Sequence, residues 1–325
     1  MTGKKKSFRE IARLCNVSAS TVSRLANGIT GASGEKADLI LSYLQNEGYE
    51  VKTPAQDRSE KTVSLIVSDL TIEIFNRITT ALSRLLAEQN YTLAIYISRG
   101  NTQELIDSCI RRRDAALILM GLSQETFQIE SPIPVVQVMG YTDIRYRNEI
   151  YGVFSDDYVG GQLVARKLLS NGCTHPLVLN IRYSLFTVVK RIEGFLDEYK
   201  KAGIAIPETD IYPADPSKSS YSDALDTVSY LWTKGVDYDC VFAASDWRAY
   251  GAISALRNMG ISDVAVVGYD GSQISRYGTY PFPSVQQNPD LIAAAAVRLL
   301  FDLLNGRTPE QKSVVIPVQM SHTGN

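Results

Sequence analysis

The sequence is poor in histidine and cysteine. Two histidines, His175 and His322, occur in 325 residues, too few for a histidine-cluster metal centre or for most histidine-dependent triads. Four cysteines, Cys15, Cys109, Cys173 and Cys240, stand far apart with no C-x-x-C pair. Neither a disulfide framework nor a zinc ribbon is indicated. No stretch approaches the ~18 consecutive apolar residues that a membrane span requires. The opening residues MTGKKKSFREIARLCNVS lack the apolar core of a secretory signal, so the expected location is the cytoplasm, with no membrane partner. No G-x-G-x-x-G or G-x-x-x-x-G-K-[ST] follows a strand-like run, and no G-x-S-x-G elbow is found. Dinucleotide, P-loop and serine-hydrolase chemistry therefore have no motif behind them. The sequence gives no ground to expect a catalytic centre, a cofactor or a metal.

What remains is globular in composition, 45% hydrophobic and 21% charged, and long enough for two or more domains of ~150 residues. The net charge of −2 hides an asymmetry. Residues 1–30 hold six basic side chains (Lys4, Lys5, Lys6, Arg9, Arg13, Arg24) against one acid, Glu10, leaving 27 basic and 34 acidic residues elsewhere. A basic head on an acidic body suits an end that binds phosphates.

The head reads as a helix-turn-helix. Ser7 and Glu10 have capping-box spacing, and Phe8, Ile11, Ala12 and Cys15 recur at helical intervals. Asn16 tolerates the left-handed backbone of a tight turn. Ser18 caps a second helix running to Asn27, with Val22, Leu25 and Ala26 facing the first. A third helix, about 33–47, carries Ala37, Ile40, Leu41 and Leu44 on one face and stops at Gly48. The second helix leaves Ser18, Ala19, Ser20, Thr21, Ser23, Arg24 and Asn27 outside the core. Short hydroxyl side chains and helix-start amides suit phosphate oxygens, and residues early in a recognition helix reach base edges.

The run Ile11-Ala12-x-x-Cys15-Asn16-Val17-Ser18-x-x-Thr21-Val22-Ser23-Arg24-x-x-Asn27 resembles the head of the lactose/galactose repressor (LacI/GalR) family, except that Asn16 replaces a glycine. The resemblance extends over essentially the whole chain. It implies double-stranded operator DNA as a partner, base reading by Ala19 and Ser20 with Arg24, and assembly as a homodimer. The linker departs from the family. The family hinge, Y-x-P-N-x-x-A-R-x-L, wedges its leucine into the minor groove, whereas here Tyr49 and Ala55 match and Arg58 stands in place of the leucine. Ala55 and Arg58 are the linker residues expected to meet DNA, Arg58 as a cation in a narrow minor groove rather than as an apolar wedge.

Beyond the linker, apolar runs alternate with helical periods: VSLIV, TLAIYI, AALILM and VVQVM, then LVLNI, CVFAA and VAVVGYD. Such runs imply parallel sheets buried on both faces, with ligands beyond the carboxyl ends of the strands. The expected fold is a small all-α headpiece on an α/β body of two parallel-sheet lobes, similar to the type I periplasmic binding proteins of the family's effector domain. The expected boundaries are 1–50 for the headpiece, 51–61 for the linker and 62–325 for the body. Within the body, 62–158 joins 288–316 in one lobe and 159–287 joins 317–325 in the other.

By resemblance, Phe75 stacks on the effector and Arg191 in Arg191-Ile-Glu-Gly-Phe195 donates to it. Ser245, Asp246, Asp270 and Gln287 occupy the remaining effector positions, Ser245 replacing an asparagine. The residue types fit a sugar or sugar phosphate, since carboxylates accept paired hydroxyls and arginine donates in a fixed fork. Gly-Cys-x-His-Pro (172–176), Gly-Tyr-Asp-Gly (268–271) and Tyr-Pro-x-x-x-Val-x-Gln (280–287) look most like sucrose- or ribose-type repressors. The resulting expectation is a repressor of a sugar-utilisation operon. A solute-binding receptor for transport is the alternative, opposed by the basic head.

Overall fold

In the computed structural model, the residues described are 5–27, 35–49, 51, 61–122, 126–140, 143–146, 150–181 and 186–321. Three helices form the headpiece: α1 (Phe8–Leu14), α2 (Ala19–Ala26) and α3 (Glu35–Asn46). Glu10 reaches back to accept from the Ser7 amide at 2.7 Å and the Ser7 hydroxyl at 2.8 Å. Asn16 adopts φ +53°, and this left-handed residue turns the chain between α1 and α2. Ser18 caps α2 by accepting the Thr21 amide at 3.2 Å. Ile11, Ala12, Cys15, Val22, Leu25, Ala26, Ile40 and Leu44 close the core. The chain on either side of this core is tied together. Phe8 and Tyr49 rings lie 4.8 Å apart, the Tyr49 hydroxyl donates to the Lys6 carbonyl at 2.9 Å, and Lys5 donates to the Gly48 carbonyl at 2.8 Å. Lys6 pairs with Glu47.

The body contains two six-stranded sheets. The first has the order β13-β7-β5-β3-β1-β2, from β1 (Thr62–Val67), β2 (Thr92–Ile97), β3 (Ala116–Met120), β5 (Val135–Val138), β7 (Tyr151–Ser155) and β13 (Ser313–Ile316). Every pairing in it is parallel. Helices α4 (Glu73–Glu88) and α11 (Pro289–Leu304) pack on one face through Ile78, Leu82, Ile292 and Leu300. Helix α5 (Thr102–Arg111) covers the other through Ile106 and Cys109. Coverage on both faces explains the unbroken apolar runs of the central strands. β2 departs from the buried strand expected there, because it lies at the sheet edge and leaves Ile95 and Ile97 each 44% exposed. A two-stranded parallel ribbon of β4 (Thr126–Ile129) and β6 (Asp143–Tyr146) flanks the lobe. Its short strands have no counterpart among the sequence expectations.

The second sheet has the order β14-β12-β11-β10-β8-β9. Its strands are β8 (Pro176–Leu179), β9 (Ile211–Tyr212), β10 (Cys240–Ala243), β11 (Ala265–Asp270), β12 (Ser284–Gln286) and β14 (Gln319–Met320). Only β14 runs antiparallel. On one face lie α6 (Asp157–Ser170) and α7 (Phe186–Lys201), on the other α8 (Ser220–Thr233) and α9 (Asp246–Asn258). Helices α6 and α7 approach closely because Gly161 faces the Arg191 carbonyl and Gly194 faces the Tyr158 carbonyl, and a β-carbon at either glycine would collide with the opposing oxygen. The chain passes between the sheets three times: from β7 to α6, from β12 to α11, and from β13 to β14.

Candidate functional site

The exposed side of α2 carries the DNA-facing residues expected from the sequence. Ser18, Ser20, Arg24 and Asn27 are exposed, and Thr21 and Ser23 are half-buried. Ser18 Oγ lies 2.7 Å from Ser20 Oγ and 2.8 Å from Thr21 Oγ1, so the three hydroxyls form one cluster at the helix start. Ala19 is half-buried and packs partly on the headpiece core, which leaves its methyl a smaller contact surface than a fully exposed base-reading position offers. Asn27 donates to the Ser23 carbonyl at 2.9 Å. Ala55 and Arg58 lie outside the described residues.

In the body, the chain brings Arg191, Asp270 and Gln287 into one hydrogen-bonded cluster. Arg191, in the second turn of α7, is 4% exposed. Its Nε donates to Asp157 Oδ1 at 2.6 Å, and Nη1 donates to the Ala244 carbonyl at 2.9 Å and to Asp270 Oδ1 at 3.2 Å. The guanidinium lies 3.8 Å over the Tyr269 ring. Burial disfavours the arginine's charge, but Asp157 and Asp270 together outweigh it and raise its pKa. Gln287 donates to Asp270 Oδ1 at 2.9 Å and accepts from Ser155 at 2.7 Å. Its amide thus links the end of β7 in the first sheet to the end of β11 in the second.

Asp270 terminates β11 with φ +113°, a backbone that an L-residue adopts only when its surroundings hold it. Both contacts made by its carboxylate fall on Oδ1, so Oδ2 retains acceptor capacity. Burial pushes the carboxyl above its ordinary range, opposed by Arg191.

Asp246 is arranged differently. It is 1% exposed and accepts from the Ser272 amide at 2.7 Å, the Ser272 hydroxyl at 2.8 Å and the Ser284 hydroxyl at 2.6 Å. Three protein donors enclose it, and burial followed by the Asp270 charge raises its pKa. Ser245, the residue before it, is buried with an unpartnered Oγ. Phe75 is in the first lobe's core, 8% exposed, with its ring edge against Gly121 at the end of β3.

Three further residues belong to this picture. Asp157 is the principal partner of Arg191, and Ser155 is the hydroxyl on Gln287. Asn180 follows β8 and carries a buried Oδ1 without a partner. Its sequence signal is one amide at the end of the apolar run LVLNI.

Residues 165–321 match the sequence profile of a periplasmic binding protein-like domain. Over 328 residues the chain is 29% identical to the transcriptional regulator MalR of Streptomyces coelicolor, covering 95% of this chain and 93% of MalR. Its fold matches a complex of the transcriptional regulator CelR with cellobiose at a TM-score of 0.72 and 24% identity, over 98% of this chain and 100% of the other. The lac repressor dimer bound to operator and an anti-inducer matches at 0.71 and 18% identity, over 98% of each chain. A helix-turn-helix head on a two-sheet body is the architecture shared with these DNA-binding transcriptional regulators. The chain is thus similar over most of its length to helix-turn-helix regulators such as MalR and GalR.

Proposed function

We propose that this regulator binds a palindromic operator as a homodimer and that a small polyhydroxylated ligand, a sugar or sugar phosphate, controls its operator affinity from the cleft between the lobes. The observation carrying this reading is the free Oδ2 of Asp270, held in a strained backbone by Arg191 and Gln287. A carboxylate fixed in this way accepts ligand hydroxyls without reorganising.

In this reading Asp270, Arg191, Gln287 and Ser245 form the second lobe's share of the effector site. Asp246 braces it from behind, and Phe75 belongs to the facing wall. CelR, solved with cellobiose, makes a carbohydrate the first class to test. Ser18, Ser20, Thr21 and Arg24 contact DNA, with Ala19, Ser23, Asn27, Ala55 and Arg58 completing the interface, and the headpiece, linker and body behave as separate units. Homodimer formation is supported by large apolar side chains in the open, including Ile95, Ile97, Trp247 and Tyr277, the last 80% exposed. Ligand acts by its unequal affinity for two lobe arrangements.

A thermal-shift screen of sugars and sugar phosphates identifies the effector. Selection of bound duplexes from random DNA identifies the operator. Stabilisation by at least one carbohydrate and recovery of a two-fold symmetric sequence are the expected results, and failure of both refutes the reading.

A further inference from the structure

Cys173 and Cys240 are distant in sequence and adjacent in the fold. Cys173 lies in the turn after α6, and Cys240 opens β10 opposite Pro176 of β8. Their sulfurs and a carboxylate oxygen of Asp239 all lie within 4.8 Å of one another. Both thiols are buried, at 6% and 0% exposure, among Val178, Phe195 and Tyr199. Asp239 accepts the amides of Thr174 at 2.6 Å and His175 at 3.0 Å, so the turn that carries Cys173 also fixes the carboxylate. The Tyr199 hydroxyl sits 3.8 Å from Cys240 Sγ and donates to the Cys173 carbonyl at 3.3 Å.

We propose that Cys173, Cys240 and Asp239 form a binding site for a thiophilic metal ion, with two thiolates as the principal donors and the carboxylate oxygen as the third. Paired sulfurs select soft or borderline ions over magnesium and calcium, which favour oxygen donors. On binding, each thiol releases its proton to solvent, and the two thiolates neutralise a divalent ion within the apolar cluster. Buried cysteines ordinarily pack as small hydrophobes. This pair differs in having a carboxylate oxygen brought against the sulfurs at the rim. The site lies at the amino end of β10, whereas the effector cluster lies beyond the carboxyl ends of the strands. The two are therefore separate.

Reduced full-length protein titrated with Cd2+ is expected to take up one ion per chain, with a sulfur-to-cadmium charge-transfer absorption that Zn2+ displaces. Cys173→Ala and Cys240→Ala should each abolish the band. The double variant Cys15→Ala/Cys109→Ala should keep it, and Asp239→Asn should weaken binding by about tenfold or more. X-ray absorption on the Zn2+-loaded wild type should show two sulfurs at about 2.3 Å, a readout that does not depend on the variants folding. A zinc shell without sulfur, or a cadmium band unchanged in both alanine variants, overturns the proposal.

Discussion

Glu73 accepts the Gln273 amide with both carboxylate oxygens, at 3.1 and 3.2 Å. Glu73 opens α4 on the first sheet, and Gln273 begins the short helix α10 (Gln273–Tyr277) after β11 of the second. A side chain of one lobe thus holds a backbone group of the other.

Glu73→Gln should weaken this closure. A partly exposed charge-assisted contact contributes on the order of 1 kcal/mol, which is roughly a fivefold shift between open and closed forms. Small-angle scattering of the ligand-free variant should give a larger radius of gyration than wild type. Identical profiles would show that the contact does not set the lobe equilibrium.

Arg24→Ala should remove operator binding while leaving the melting temperature of both headpiece and body unchanged, because Arg24 is exposed and makes no contribution to the headpiece core. A mobility shift and a calorimetric scan on the same preparation check this. Loss of stability together with DNA binding would contradict it.

Arg191→Ala should affect folding as well as ligand binding. It leaves Asp157 buried without its cation, a loss of about 3–5 kcal/mol by analogy with broken buried pairs. Asp270→Asn keeps an acceptor for Gln287 and removes one charge from the cluster, so it should reduce ligand affinity with a much smaller loss of stability. Urea denaturation and ligand titration of the two variants separate the roles. Equal stability of the two would show that Arg191 is not a structural centre of the second lobe.

The Asp246 carboxyl titrates above its ordinary range because burial and Asp270 disfavour its charge. The native state therefore holds this proton more tightly than the unfolded chain. The stabilisation is full at acidic pH and is lost as pH rises from the ordinary carboxylate range through the raised native value. Asp246→Asn, with the Ser284 hydroxyl turning to accept from the new amide, should flatten this decline. Denaturation midpoints across the range test it, and a variant as pH-sensitive as wild type would mean that another group is responsible.

The elements most legible in the sequence are those fixed by neighbouring residues. Asn16 predicted its own left-handed turn, and Ser18 its own cap. The central strands were legible because burial on both faces leaves a continuous apolar run. Features set by distant residues were hidden. Asp246 was expected in a ligand-contacting position, but nothing near it in sequence reveals that Ser272 and Ser284 enclose it. Asp157 carries no role that its neighbours in sequence reveal, because its importance depends on Arg191 arriving from another helix. β2 looked buried because its apolar content does not reveal that it lies at an edge.

The tie between Lys5, Lys6 and the end of α3 changes how the headpiece's charge reaches a polyanion. Lys5 is directed to the Gly48 carbonyl and Lys6 to Glu47, whereas Arg9, Arg13 and Arg24 point into solvent. A lysine paired with a carboxylate, as Lys6 is with Glu47, displaces fewer of the small ions condensed along a duplex. Each one withheld lowers the log–log salt slope by about 0.9. Counterion release on operator binding is then smaller than the basic composition of the head implies. More of its grip comes from contacts that persist as ionic strength rises.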